Sequence, residues 1–372
     1  MTLRVFEVSG IQVRLHYSWF IIFALVTWSL AVGYLPDLYP ERSPMFYWIV
    51  GCIAVASLFL SVLIHEFSHL LVARRRGMEV RRITLYFFGG VAEIEEEAPT
   101  PSAEIKMAAA GPISSLVLAL ILTAGWRLTV AWSLPVGIRA VLRYALYINF
   151  MLAAFNMLPA FPMDGGRILR AFLWMRSGSL LSSTRTATRV SQVFSYLLMA
   201  LGLVDIMFRS TFSGLWLFVI GLFLKRGADT SMNAIIISEA LEGVKVGDIM
   251  TGEVHTVDPE LPLQQLVDSY FIRYKHRGFP VVSEDRLVGL VTDHDVRQVG
   301  RERWGKITVG DIMKPAEELI IITPGDTASD ALLKMSKGDV GRLPVMEGKR
   351  LVGIITRSDI TRAIRMRLQF KS

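Results

Sequence analysis

Four times before residue 160 the chain runs for about 20 residues with hardly a charge, the length an apolar helix needs to cross a bilayer. The runs cover residues 17–35, 47–72, 108–128 and 141–158, and shorter ones follow at 193–208 and 215–224. Backbone polar groups have no water to bond inside the hydrocarbon, so such runs must fold as helices. Six spans would leave both termini on one side. The single Cys52 excludes a disulfide scaffold, and the abundance of apolar residues excludes disorder.

Charge is unevenly shared. Residues 1–240 hold 20 Lys+Arg and 14 Asp+Glu, whereas residues 241–372 hold 20 and 19, and seven of the eight Trp lie in the first stretch. The net charge of +7 thus belongs almost entirely to the apolar part. It reads as a topology signal, and no nucleic acid partner is expected. The loops that would share a side with the termini carry 15 basic residues against 5 on the other side, which places both termini and the polar C-terminal part in the cytoplasm. A cleaved leader at the first run is the lesser reading and would leave the remaining topology unchanged. Alternating patterns at residues 3–16, around Ser9-Gly10, and at 80–95, around Gly89-Gly90, read as small β-hairpins at the membrane. Their edges could pair with an extended guest peptide or simply pack on the helices.

The second run carries the chemistry. His65-Glu66-Phe67-Ser68-His69 is H-E-x-x-H, and on a helix residues i and i+4 share a face, so two imidazoles can hold one zinc. Glu66 lies beside them, placed to take a proton from water that a metal activates. A buried, hydrogen-bonded Glu–His pair is the alternative. Against it stands the expense of three ionisable groups in a membrane span, which are by default functional. Zinc in a catalytic site needs a third protein ligand. Asp164 is the candidate, in Asn156-Met-Leu-Pro159-Ala-Phe-Pro162-Met-Asp164-Gly165-Gly166, where the prolines interrupt the helix and the glycines allow close backbone approach. The competing reading of Asp-Gly-Gly is a turn at the membrane boundary.

H-E-x-x-H on an early span, Ala110-Gly111-Pro112, and N-x-x-P-x-x-P-x-D-G-G on a later span resemble the site-2 protease family of intramembrane zinc metalloproteases. The opening Gly10–His16 stretch is similar to that family's first strand, and the resemblance covers most of residues 1–230. It implies Zn2+ held by His65, His69 and Asp164, with Glu66 as catalytic base, acting on the transmembrane segment of another membrane protein. Asn156 would polarise the scissile carbonyl or hold the substrate backbone. Many members carry Asn where this chain has Ser115, so no role is carried over to that position.

The C-terminal part repeats with a period of about 64 residues. Val246–Met250 recurs as Val309–Met313, Gly278–Val282 as Arg342–Met346, and Leu287–Thr292 as Leu351–Thr356. Each unit reads as strand, helix, two strands and closing helix. The pair resembles tandem CBS domains, which implies dimerisation and an ATP- or AMP-type adenine nucleotide as regulator. The family's G-x-x-T-x-x-D falls on Thr292 and Asp295, and again on Thr356 and Asp359. A helix cap would use the same spacing.

The expected architecture is therefore a polytopic α-helical membrane domain with small membrane-associated strands, followed by an α/β tandem CBS module. Residues 1–226 form the zinc metalloprotease domain, 227–243 a linker, and 244–372 the CBS pair, divided into about 244–305 and 306–367. The expected function is intramembrane endopeptidase activity in a multi-pass protein of the cell membrane, in contact with lipid and forming a homodimer through its CBS domains. A CBS-regulated transporter leaves the two zinc-type motifs unexplained. A noncatalytic membrane chaperone leaves unexplained why all four reactive groups are retained.

Overall fold

The computed structural model describes residues 2–8, 10–78, 80–86, 89–94, 98–209 and 212–370. They fall into two compact units, Met1–Asn233 and Ala234–Ser372.

In the first unit β1 (Thr2–Val8) and β2 (Ile11–His16) pair as an antiparallel hairpin. Helix α1 (Ser18–Ser29) passes through a wider turn at Leu30–Tyr34 into α2 (Leu35–Leu38), making one apolar stretch long enough to cross a membrane. Helix α3 (Pro44–Arg75) begins where the Ser43 hydroxyl accepts from the Phe46 N–H and Pro44 occupies the first helical position. A second antiparallel hairpin, β3 (Val80–Tyr86) and β4 (Gly89–Ile94), follows. Gly89-Gly90 opens β4 and does not form the turn itself. Ser9 and the acidic Glu95, Glu96 and Glu97 lie outside the described residues.

The two hairpins are one sheet. β2 runs parallel to β3, with Val13 opposite Ile83, giving the order β1-β2-β3-β4. Parallel neighbours need a long crossover, and here the crossover is the pair of spans α1–α3. Two crossings return the chain to the side it left, so both hairpins lie on one side. Ile11 and Ile83 pack on Leu70 of α3, one residue after the second motif histidine.

Helix α4 (Pro101–Ala131) is capped by the Thr100 hydroxyl, which accepts from the Ala103 N–H. Helix α5 (Val136–Asn156) ends just before the Pro-rich break, α6 (Asp164–Ser177) starts at its far end, and α7 (Leu180–Arg209) and α8 (Phe212–Leu241) complete the unit. Among the described residues, five helical stretches are long and apolar enough to span: Ser18–Leu38, Pro44–Arg75, Pro101–Ala131, Val136–Asn156 and Leu180–Phe208. The sixth expected run sits inside α8, which continues past Lys225, Arg226 and Asp229 as helix. The segment expected to link the halves is thus mostly helical. Gln192 of α7 and Lys225 both donate to Asp229, at 2.9 Å each, which satisfies its carboxylate within helical structure.

In the second unit the opening strand of each repeat shrinks to a single bridge, Val257 to Val281 and Ile322 to Val345. Around them lie α9 (Val246–Ile249), then α10 (Leu263–Leu266), which runs through Val267–Phe271 into α11 (Ile272–Tyr274). The first hairpin is β5 (Gly278–Ser283) and β6 (Arg286–Thr292), closed by α12 (Asp293–Arg297) and joined by β7 (Lys314–Pro315). The second repeat has α13 (Ala328–Lys337), β8 (Arg342–Glu347), β9 (Arg350–Thr356) and α14 (Arg357–Phe370).

The repeats exchange their leading motifs. Val309, Ile312 and Met313 join the core of Phe279, Val281 and Val291, whereas Val246, Ile249 and Met250 join that of Leu343, Val345 and Ile355. Each core is completed by residues that chain order assigns to the other repeat.

Candidate metal centre

His65 and His69 lie one turn apart on α3, 3% and 8% exposed, with ring centroids 4.9 Å apart. Asp164 comes from the start of α6. Its Oδ2 lies 3.2 Å from His65 Nε2 and 3.3 Å from His69 Nε2. One ligand atom from each of the three residues falls within 4.8 Å of the others, and among the described residues this group alone could hold a metal ion. Glu66 is half-buried beside them, within electrostatic reach of His69, Asp164 and Arg167.

The break between α5 and α6 delivers Asp164. Residues 157–163 are irregular, and α6 folds back so tightly that Gly165 abuts the carbonyls of Met157 and Leu158. A Cβ on Gly166 would meet Ala160 C at 2.6 Å. No larger residue fits either position, which explains the glycine pair. Helix α6 is further held by Arg170, whose Nε donates to Glu104 Oε1 of α4 at 2.8 Å and whose Nη2 bonds the same oxygen. Both partners are buried.

Helix α4 forms the other wall. Met107, Gly111 and Ser115, spaced by four, share one face. The Met107 carbonyl accepts a hydrogen bond from His69 Nδ1 at 2.7 Å, and Ser115 Oγ lies 2.9 Å from His65 Nδ1. A carbonyl only accepts, so His69 carries a proton on Nδ1, which leaves Nε2 as the nitrogen that can serve a metal. Between these contacts Gly111 faces both rings. A Cβ built on it would lie 2.6 Å from His65 Nε2 and closer still to His69 Nε2. The missing side chain therefore lets α4 approach both rings more closely than any larger residue would allow. Two imidazoles and one carboxylate converging in this way are a donor set that fits a zinc ion.

A model of peptidase family M50 matches residues 53–131 and 127–201, and the CBS domain model matches 246–302 and 309–366. The Rip3 protein of Mycobacterium tuberculosis is 34% identical over 360 residues, spanning 96% of this chain and 91% of its own. The chain belongs to peptidase family M50, the site-2 proteases. The zinc metalloprotease MJ0392 of Methanocaldococcus jannaschii is 30% identical over 98% of this chain and 96% of its own. A solved site-2 protease from the same organism covers 62% of this chain and 95% of its own, at 28% identity and a TM-score of 0.44. This M50 member is a metalloprotease of the hydrolase class, a multi-pass membrane protein carrying a CBS pair.

The remaining expected site residues lie elsewhere. Asn156 is the last residue of α5, and its Nδ2 donates to the Leu152 carbonyl at 2.9 Å. Thr292 and Asp295 form a reciprocal cap on α12, and Thr356 pairs with Asp359 in the same way at α14. Thr327–Asp330 makes an equivalent cap at α13, and Thr308–Asp311 has the same side-chain bond, so the spacing does not by itself mark a ligand site. In a related turn Asp326 accepts from the Thr323 N–H, with Lys334 3.5 Å away, and its carboxyl is held below the usual range. Sequence reasoning singled out both histidines, Glu66 and Asp164, and missed the roles of Gly111, Met107 and Ser115. The one signal for that face was the Ala110-Gly111-Pro112 triplet, which names the glycine without saying what it faces.

Proposed function

We propose that this protein is an intramembrane zinc endopeptidase, with His65, His69 and Asp164 as the metal ligands and Glu66 as the catalytic base. The observation that carries the reading is the convergence of those donors from α3 and the start of α6. Zinc bound there would polarise the scissile carbonyl and acidify the attacking water. Glu66 takes the proton from that water and hands it to the leaving amine nitrogen. Asn156 contacts the substrate backbone, giving up its bond to Leu152 when it does so. A helical substrate must unwind before its carbonyls are accessible.

Both termini and the CBS pair are assigned to the cytoplasm from the basic-residue bias, which puts cleavage in the cytoplasmic half of the bilayer. The CBS pair is assigned an adenine nucleotide as regulator, with Thr292, Asp295, Thr356 and Asp359 as contacts, and pairs two copies of the chain. Support comes from the family match and from helix starts that favour anions.

Zinc analysis of the purified protein, with cleavage of a single-span test substrate, is the decisive experiment. Wild type should hold one zinc per chain, and Glu66→Gln should keep the metal while losing cleavage by roughly 10²–10⁴-fold. Absence of zinc, or unchanged cleavage by the variant, would overturn the assignment. Cleavage that stays flat across ATP and AMP concentrations that saturate binding would remove the regulatory role.

A further inference from the structure

Ser115 on α4 is 1% exposed. Its Oγ lies 2.9 Å from Nδ1 of His65, which is itself 3% exposed, across 50 residues of sequence. The neighbouring Ser114 hydroxyl instead donates to the Gly111 carbonyl of its own helix, at 2.8 Å, the ordinary resting place for a helical serine. Two successive serines on α4 thus do different things, and only Ser115 reaches α3.

We infer that Ser115 is a positioning residue for the metal centre, accepting the Nδ1 proton of His65 so that Nε2 is bare and turned toward Asp164. The inference rests on the proposed ligand set. His69 supplies the internal comparison: its Nδ1 donates to the Met107 carbonyl, two turns earlier on the same face of α4. One helix therefore dictates the tautomer of both imidazoles, through a backbone oxygen for one and a side-chain oxygen for the other. A neutral imidazole bonded through Nδ1–H has only Nε2 to offer a metal. The outer partner also fixes the ring plane, and losing such a partner typically weakens metal binding by about 10–100-fold. The backbone acceptor beneath His69 cannot be deleted by substitution. The side chain beneath His65 can, which makes it the testable member of the pair.

The experiment measures zinc affinity of the full-length protein in detergent by competition with a chromophoric chelator, together with the visible spectrum of the cobalt-substituted form. Wild type is compared with Ser115→Ala and with the isosteric pair Ser115→Thr and Ser115→Val. The last two share any packing penalty and differ in the hydroxyl alone. Ser115→Ala and Ser115→Val should each lose about 10–100-fold in zinc affinity and alter the cobalt spectrum. Ser115→Thr should bind at least about tenfold more tightly than Ser115→Val. Equal affinities for the Thr and Val variants would overturn the inference, as would wild-type affinity in Ser115→Ala. A wild-type protein that binds no zinc would overturn the ligand assignment itself, an outcome separable from the others because it precedes any substitution.

Discussion

Replacing Gly111 by Ala tests the metal centre at its tightest point. The new methyl would sit 2.6 Å from His65 Nε2 and 2.6 Å from His69 Cε1. Comfortable contact between such atoms is about 3.5–4.0 Å, so the rings would have to retreat by roughly 1 Å. Both rings are tied through Nδ1 to α4, the helix that carries the methyl. Withdrawal therefore breaks at least one of those hydrogen bonds, and moving the whole helix pulls the rings after it. Overpacking of this kind costs about 1–3 kcal/mol. The functional loss should exceed the structural one, because the rings that must retreat are two of the three proposed metal ligands. Elemental analysis after dialysis should find almost no zinc in Gly111→Ala, and cleavage of a single-span substrate should be abolished. Gly125→Ala is the control on the same helix, where an added Cβ meets nothing within 4 Å. That variant should keep full zinc and activity, and gain about 0.5–1 kcal/mol from helix propensity. Wild-type zinc occupancy in Gly111→Ala would refute the reasoning.

Two further perturbations probe the supports. Arg170→Met leaves Glu104 charged and buried, and should destabilise the membrane unit by about 3–5 kcal/mol. Thermal unfolding in detergent checks this, with Glu104→Gln/Arg170→Met expected to recover part of the loss. In the CBS unit, Asp326 has a folded pKa below its unfolded one, so its contribution is present above the ordinary carboxylate value and lost as pH falls through the folded value. Hydrogen exchange over residues 320–337 should be faster in Asp326→Asn than in wild type at neutral pH. The two should converge as the pH falls through that lowered folded value.

The legible part of this molecule was whatever a short stretch of chain decides alone. H-E-x-x-H announced two rings on one helical face, and the proline and glycine spacing announced a helix break beside Asp164. Apolar length announced the first four spans, while the sixth run merged into α8 because apolar length does not say where a helix stops. Joining the hairpins into one sheet was not legible. Whether β2 meets β3 depends on where two spans deliver them, and an alternating pattern carries no trace of its neighbour. The exchange between the CBS repeats was hidden for a similar reason. Val246 and Val309 sit in matching motifs, and either could fill either core by composition. Ser115 stayed unassigned because its partner is 50 residues away and nothing nearby points to it.

The parallel pairing of β2 with β3 has a consequence for how the protein is made. β2 leaves the ribosome more than 60 residues before its partner, and everything between them must first enter the bilayer. If either α1 or α3 failed to cross, the two strands would end on opposite faces of the membrane and no sheet could close. Closure of the sheet therefore requires α1 and the histidine-bearing α3 to cross together. A chain that has closed it cannot have inserted one of these two helices without the other.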